Sequence, residues 1–269
     1  MTLATQPNAS LLVPTPDGTR VVFVADRDVA GREELYVVPL DGSSAPMKLS
    51  GSTLADGDVV GPLVLTPDGS RALYRADLLQ DEVFELFTVP VDGSGTTVRV
   101  SAAMVAGGDV ALTNAGDPPF TVTPDGQTVL YRADQENDFF FGLYAAPVDG
   151  SSPPVRVHPP LASAFGVESG HFVLEDSSAV LYRANFIVGQ TDLWISSLDG
   201  TRTRRLSYLD TANSDVEPDF QVVGEHVYYR ANQRVQVQNE LFRSELRPTR
   251  KQRAGSPGTA PSRTIGAGR

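Results

Sequence analysis

Apolar residues in this chain come in short runs that alternate with polar ones and are punctuated by Gly, Pro and Asp. That is the period of two expected of half-buried strands, and no stretch shows the 3.6-residue period of an amphipathic helix. One run returns five times: Val22-Phe-Val-Ala-Asp26, Leu73-Tyr-Arg-Ala-Asp77, Leu130-Tyr-Arg-Ala-Asp134, Leu181-Tyr-Arg-Ala-Asn185 and Tyr228-Tyr-Arg-Ala-Asn232. Its alanines, at 25, 76, 133, 184 and 231, step by 51, 57, 51 and 47 residues. So regular a period predicts a repeat array.

Each unit reads as strands joined by turns. A short apolar strand runs into Thr15-Pro-Asp-Gly18, Thr66-Pro-Asp-Gly69 or Thr123-Pro-Asp-Gly126, where Pro presets φ and Gly supplies a positive one. The turn decays to Glu175-Asp-Ser-Ser178 in the fourth unit and Gly224-Glu-His226 in the fifth. The recurring phrase is the second strand, with Leu73 and Arg75 on one face and Tyr74 and Ala76 on the other. After a loop of about nine residues comes a third strand, starting at Leu35, Leu86, Leu143, Leu193 and Leu241. It exits through Asp41-Gly42, Asp92-Gly93, Asp149-Gly150 or Asp199-Gly200, a strong hairpin signal, into a short fourth strand such as Met47-Lys-Leu-Ser50 or Val98-Arg-Val-Ser101.

Four antiparallel strands per unit of about 50 residues describe a propeller blade. The Thr-Pro-Asp-Gly turn, the Tyr-Arg-Ala-Asp strand end and the Leu-Tyr-x-Val-Pro-x-Asp-Gly strand and turn, best seen at 66–93 and 123–150, resemble the TolB-like family of WD-repeat-like bacterial β-propellers. The resemblance covers residues 10–246. Val24 in place of Arg, Asn185 and Asn232 in place of Asp, and the missing Asp-Gly of the last unit depart from it. It implies an all-β propeller and a binding or scaffolding role, related propellers being accessory domains of peptidases. For a fragment of a longer protein it implies a periplasmic or extracellular setting, and the compartment is otherwise open.

The units fall at about 10–50, 62–101, 119–158, 171–207 and 219–246. The fifth has no fourth strand after Leu246, which leaves an edge to cover. Met1-Thr-Leu-Ala4 lies upstream of the first Thr-Pro-Asp-Gly as Met47-Lys-Leu-Ser50 lies upstream of the second. Residues 1–5 are therefore expected beside 240–246, closing five blades into one domain of residues 1–246. A piece of a propeller with six or more blades is the alternative.

Charge separates the remainder. Residues 247–269 hold six of the 22 basic groups and no acidic side chain, a Gly-, Pro- and Ser-rich composition expected to be a disordered basic tail. What precedes carries 16 basic against 33 acidic groups, net −17, which argues against nucleic acid as a partner. There is no cysteine, no basic and apolar leader at the N-terminus, and no apolar run of about 18 residues to span a membrane.

Candidate chemistry is sparse. The Arg series 75, 132, 183 and 230 is expected to pair across strands with Glu85, Asp192 and Glu240, although Val24 faces Glu34 and Arg132 faces Gly142. Asp26, Asp77, Asp134, Asn185 and Asn232 end the second strands on one rim, where they close Asx-turns or, with the loop residues Asp81 and Asp138, form an acidic rim for a cationic partner. No Asp-x-Asp-x-Asp-Gly loop is present, and His158, His171 and His226 occupy unrelated repeat positions, so no metal and no cofactor is expected. Nucleophile-elbow, zinc-protease and phosphate-loop motifs are missing. The first strands also lack the paired carboxylates of a glycosidase channel, Glu175 and Asp219 lying only at their ends. The aromatic series Tyr36, Phe87, Tyr144, Trp194 and Phe242 reads as packing between blades. The expectation is a non-catalytic module that offers a loop rim to a protein partner. The alternatives are a carbohydrate-acting or peptidase-accessory propeller and a truncated fragment of a larger one.

Overall fold

A computed structural model describes residues 9–51, 54, 57–112, 118–160, 166–187, 189–208, 214–232 and 238–247. These residues are all strand, turn and loop, with no helix. Five sheets follow one another along the chain, each built on an antiparallel meander.

The first holds β1 (Ser10–Pro14), β2 (Arg20–Ala25), β3 (Glu34–Pro39) and β4 (Met47–Lys48). The second holds β5 (Val59–Leu65), β6 (Arg71–Ala76), β7 (Glu85–Pro90) and β8 (Val98–Arg99), and the third β9 (Phe120–Val122), β10 (Thr128–Ala133), β11 (Gly142–Pro147) and β12 (Val155–Arg156). In the fourth, β13 (Val167–Val173), β14 (Ala179–Ile187), β15 (Gln190–Ser197) and β16 (Thr203–Arg205) are joined by β17 (Ser214–Asp215), which runs parallel to β15. The fifth contains β18 (Gln221–Val223), β19 (His226–Ala231) and β20 (Glu240–Glu245), three strands among the described residues. The strand expected from residues 1–5 and the tail beyond Arg247 lie outside the described residues. β13 begins four residues before the expected start of its unit and so takes Glu168 into a first strand.

The chain divides into two compact units, one formed by residues 1–156 with 175–177, the other by 157–174 with 178–269. In the first unit, three sheets bury their faces on one another. Val22, Val24 and Leu35 of the first sheet pack on Tyr74, Ala76 and Phe87 of the second. Leu73 and Leu86, from the opposite face of that second sheet, pack on Phe120, Tyr131 and Tyr144 of the third. In the second unit, Leu181, Leu193 and Leu206 meet Val227, Tyr229 and Phe242 in the same way. Within each unit the alternation of the phrase thus separates two interfaces: where two sheets meet, the Tyr and Ala of the later phrase face the earlier sheet, and the Leu position of the earlier phrase faces the later one.

Within each sheet the Tyr or Phe of the second strand lies opposite the aromatic of the third: Phe23 with Tyr36, Tyr74 with Phe87, Tyr131 with Tyr144, Tyr182 with Trp194 and Tyr229 with Phe242. Four of these pairs stack, with ring centroids 5.5–6.1 Å apart. The stacking adds to what burial alone contributes.

The Thr-Pro-Asp-Gly turns are built alike. Asp17 accepts from the Thr15 hydroxyl at 2.5 Å and from the Thr19 N–H at 3.0 Å, while the Gly18 N–H reaches Thr15 O at 2.9 Å. Asp68 and Asp125 repeat this arrangement. Gly18 and Gly69 both sit at positive φ, +66° and +70°, but only Gly69 is crowded: a Cβ there would lie 2.7 Å from Pro16 Cδ of the preceding blade. Gly18→Ala is therefore expected to lose only the cost of a left-handed residue, about 1 kcal/mol. Gly69→Ala should lose roughly 1–3 kcal/mol more from the clash between blades. Urea unfolding of both variants measures the difference, and equal losses would mean the Pro16 contact contributes nothing.

Candidate functional site: the loop rim

The residues that end the second strands come to one end of their sheets, but their oxygens face inward. Asp77 is buried, and its Oδ1 accepts the Asp58 N–H at 2.6 Å while its Oδ2 accepts the Glu82 N–H at 3.2 Å. Asp134 does the same for Asp109 N–H, at 2.6 Å, and Phe139 N–H, at 3.0 Å. Asn185 Oδ1 accepts from Gly166 at 2.7 Å and Asn232 Oδ1 from Asp215 at 2.5 Å. Asp26 Oδ2 receives the Gly31 N–H at 3.4 Å. The backbone of the phrase returns the bond, since the N–H groups of Asp77, Asp134, Asn185 and Asn232 donate to the carbonyls of Asp58, Asp109, Gly166 and Asp215. These bonds reach 17–25 residues back along the chain, well beyond the span of an Asx-turn.

A second set of carboxylates continues the chain of bonds. Asp58 Oδ1 accepts the Glu33 N–H at 2.8 Å, Asp109 Oδ1 the Phe84 N–H at 2.7 Å and Asp215 Oδ1 the Thr191 N–H at 2.9 Å. Glu33, Phe84 and Thr191 lie at or near the start of the third strand of the preceding blade, and their carbonyls also receive the N–H groups of Val59, Val110 and Val216. The result is a latch: blade to carboxylate, carboxylate to crossover, crossover to the next phrase. In the fourth unit Gly166 holds this position and has no side chain to accept with. A repeated signal for the latch was present in Asp58-Val59, Asp109-Val110 and Asp215-Val216, with Gly166-Val167 the exception.

The repeated arginines do not pair with the acids that open the third strands. Arg75 Nε donates to Val110 O at 2.8 Å, its guanidinium 3.9 Å from the centre of the Phe84 ring, and Arg183 donates to Val216 O at 3.0 Å. Arg132 lies 4.0 Å over Phe141, and Arg230 bonds Asp219 at 2.7 Å. In register, Arg75 and Arg183 face Leu86 and Leu193, so the expected partners Glu85 and Asp192 lie one position off and on the other face of the sheet. Those acids are met instead from the fourth strand. Glu34 binds Lys48, with Arg32 and Tyr36 also on it; Glu85 binds Arg99 at 2.8 Å; Asp192 binds Arg205 at 3.3 Å. Gly142 breaks the series, and Arg156 turns to Glu136 at 2.9 Å.

With the strand ends so engaged, the variable surface is the loop behind them. Gly31, Glu82 and Phe139 each stand five residues after the phrase's Asp, each donates its N–H to that carboxylate, and each has positive φ: +80°, +59° and +68°. The turn before each is the same, with Arg32, Val83 and Phe140 N–H groups donating to Val29, Gln80 and Asn137 carbonyls. A pinned left-handed residue points its side chain outward, and Phe139 is 82% exposed. Val29 and Leu79, 46% and 47% exposed, accompany it on neighbouring loops. Asp81 is exposed; Asp138 is half-buried, with its carboxylate in the space left by the missing Cβ of Gly107.

Burial and hydrogen bonding pull the carboxylates in opposite directions. Asp17 falls to about 2 because the Thr15 hydroxyl and the Thr19 N–H bind its charged form. Asp68, Asp125, Asp41, Asp92 and Asp149 are lowered by the hydroxyl and N–H groups of their own turns. Desolvation raises Asp109, Glu85 and Asp192 despite the donors around them. In Glu34 burial opposes ionisation too, but Lys48, Tyr36 and Arg32 together bring it below the ordinary value. Among the described residues no three His, Asp or Glu groups gather at metal-binding distances.

No family model matches the sequence, and no curated protein does. Solved structures do. The chain is similar to a prolyl endopeptidase (13% identity, TM-score 0.55, covering 90% of this chain and 35% of that one) and to prolyl oligopeptidase B from Galerina marginata (13%, TM-score 0.52, 89% and 35%). A TolB-type protein from Agrobacterium tumefaciens also matches (14%, TM-score 0.48, 88% and 77%). The chain spans about a third of the length of the two peptidases. At this identity the likeness is one of fold, that of a β-propeller, in keeping with the TolB-like resemblance.

Two outcomes follow for the latch and the turns. Asp134→Ala leaves two amides without acceptors and should cost about 2–4 kcal/mol, whereas Asp134→Asn, which keeps one oxygen, should cost less; chemical denaturation compares them. The turn carboxylates have depressed folded pKa values, so their contribution is whole above the ordinary 3.8 and is lost as pH falls towards 2. Stability measured between pH 4 and 2 should fall less steeply in Asp17→Asn than in the parent.

Proposed function

We propose that this chain is a non-catalytic binding module that offers the loop rim of its blades to a protein partner. The observation that supports the reading is Phe139: a large apolar side chain, 82% exposed, held at φ +68° by the Asp134 carboxylate. A left-handed non-glycine residue costs on the order of 1 kcal/mol, and an exposed aromatic of that kind suits an interface anchor better than it suits folding. Asp81, Glu82 and Asp138 beside the apolar side chains, on a body of net charge −17 before the tail, favour a partner with basic and apolar surface. Asp26, Asp77, Asp134, Asn185 and Asn232 take part as the frame of the rim. In the same reading, residues 1–5 supply the fourth strand of the last blade and five blades close.

A second reading, that the blades are the accessory part of a longer peptidase-type protein, is favoured by the fold likeness to two prolyl peptidases at a third of their length. Sequencing the surrounding reading frame for a hydrolase domain decides it.

Phe139→Gly and Asp81→Asn test the rim. A partner captured by the parent chain should be lost from Phe139→Gly and weakened by Asp81→Asn. Because glycine relieves the positive φ, Phe139→Gly should keep or slightly raise stability, by up to about 1 kcal/mol. Capture that survives Phe139→Gly would defeat the reading.

A further inference from the structure

In the second unit, at the ends of the strands away from the loop rim, lies a cavity of about 660 Å³. It opens between β14, β15 and β16 on one side and the end of β20 on the other, and the repeat explains why it is there. At this level the earlier blades close with an Asp-Gly turn and a fourth strand, for example Met47 against Gly93. The fifth unit has no Asp-Gly turn, and Arg204, which stands in the register position of Met47 and Val98, reaches across instead to Glu245 O at 2.7 Å and Leu246 O at 2.9 Å. A bridge of one side chain leaves room that a turn would fill.

The lining has two characters. Leu174, Ala179, Ile195 and Leu246 give an aliphatic floor, and Arg202, Arg204 and Arg247 give three guanidinium groups. Among the described residues neither Arg202 nor Arg204 has a carboxylate within ion-pair distance. The side chain of Arg202 makes no hydrogen bond among them and is exposed. Arg204 is half-buried, and burial lowers its pKa, a sign of a charge held without full compensation. Such a concentration of positive charge is out of character for a body of net charge −17. Two carboxylates act on these arginines from beyond ion-pair distance: Asp199, itself bound by Ser197 and Thr201, on Arg202, and Glu245 on Arg204.

We propose that this cavity binds a carboxylate carried on a short aliphatic group, the charge between Arg202 and Arg204 and the hydrocarbon on Leu174, Ile195 and Leu246. The volume is that of a small-ligand pocket, and planar guanidinium groups bind carboxylates through paired hydrogen bonds. Either a free aliphatic acid or a peptide ending in an aliphatic residue supplies this chemistry.

Calorimetric titration of the full chain with N-acetyl-leucine, octanoate and N-acetyl-leucinamide tests the site. Binding of at least one acid, and not of the amide, is expected; the tighter acid identifies the source. Arg202→Met, which removes no hydrogen bond or ion pair among the described residues, should weaken that binding roughly tenfold or more with a nearly unchanged melting temperature. Arg247→Met gives an independent second variant. No binding of either acid, equal binding of the amide, or affinity unchanged in Arg202→Met would overturn the proposal.

Discussion

Backbone amides that leave a strand end must find acceptors, and in this chain the acceptor is a carboxylate or amide oxygen supplied from far along the sequence. The pair Asp58 and Asp77 illustrates the constraint: three N–H groups, of Glu33, Asp58 and Glu82, converge on two side chains. Without them the crossover between the first two blades would carry unsatisfied amides where it packs, at a cost comparable to the net stability of a small domain. Asp109 with Asp134 and Asp215 with Asn232 repeat the solution. Within the units apolar packing brings blades together, and this latch fixes the level at which the second, third and fifth blades meet the one before.

Charged pairs serve a different level. Glu34, Glu85 and Asp192 are almost wholly buried and tie the third strand to the short fourth one, which otherwise has only two or three residues of ladder. The arginines of the phrase, freed from those acids, cap the crossover carbonyls of Val110 and Val216. One residue type thus acts between blades and another within them, and the strand's two faces keep the roles apart.

The blades were legible in the sequence because period-two patterning, the Thr-Pro-Asp-Gly turns and the Asp-Gly hairpins are local signals whose chemistry acts over a few residues. The partners of Arg75 and Glu85 were not, because a register offset of one residue moves a side chain to the other face of a sheet and no local rule sets that offset. The latch was half legible. Asp77 stands out by its fixed place in the repeated phrase, while Asp58 does not, although Asp-Val recurs with it, because the spacing between them varies from 17 to 25 residues with the length of the crossover. The exposure of Phe139 could not be read from its type, since Phe140 and Phe141 beside it are less exposed.

Gly31, Glu82 and Phe139 share one backbone conformation and one hydrogen bond, yet differ in size, charge and polarity. Their conformation is dictated by the carboxylate five residues earlier, and the side chains of Glu82 and Phe139 are exposed, so the identity of the residue is decoupled from the folding of the blade. Each such loop is an addressable socket. A lineage, or an engineer, can exchange the chemistry shown at three spaced points without renegotiating the core, which gives a repeat array a route to new recognition that changes one codon at a time.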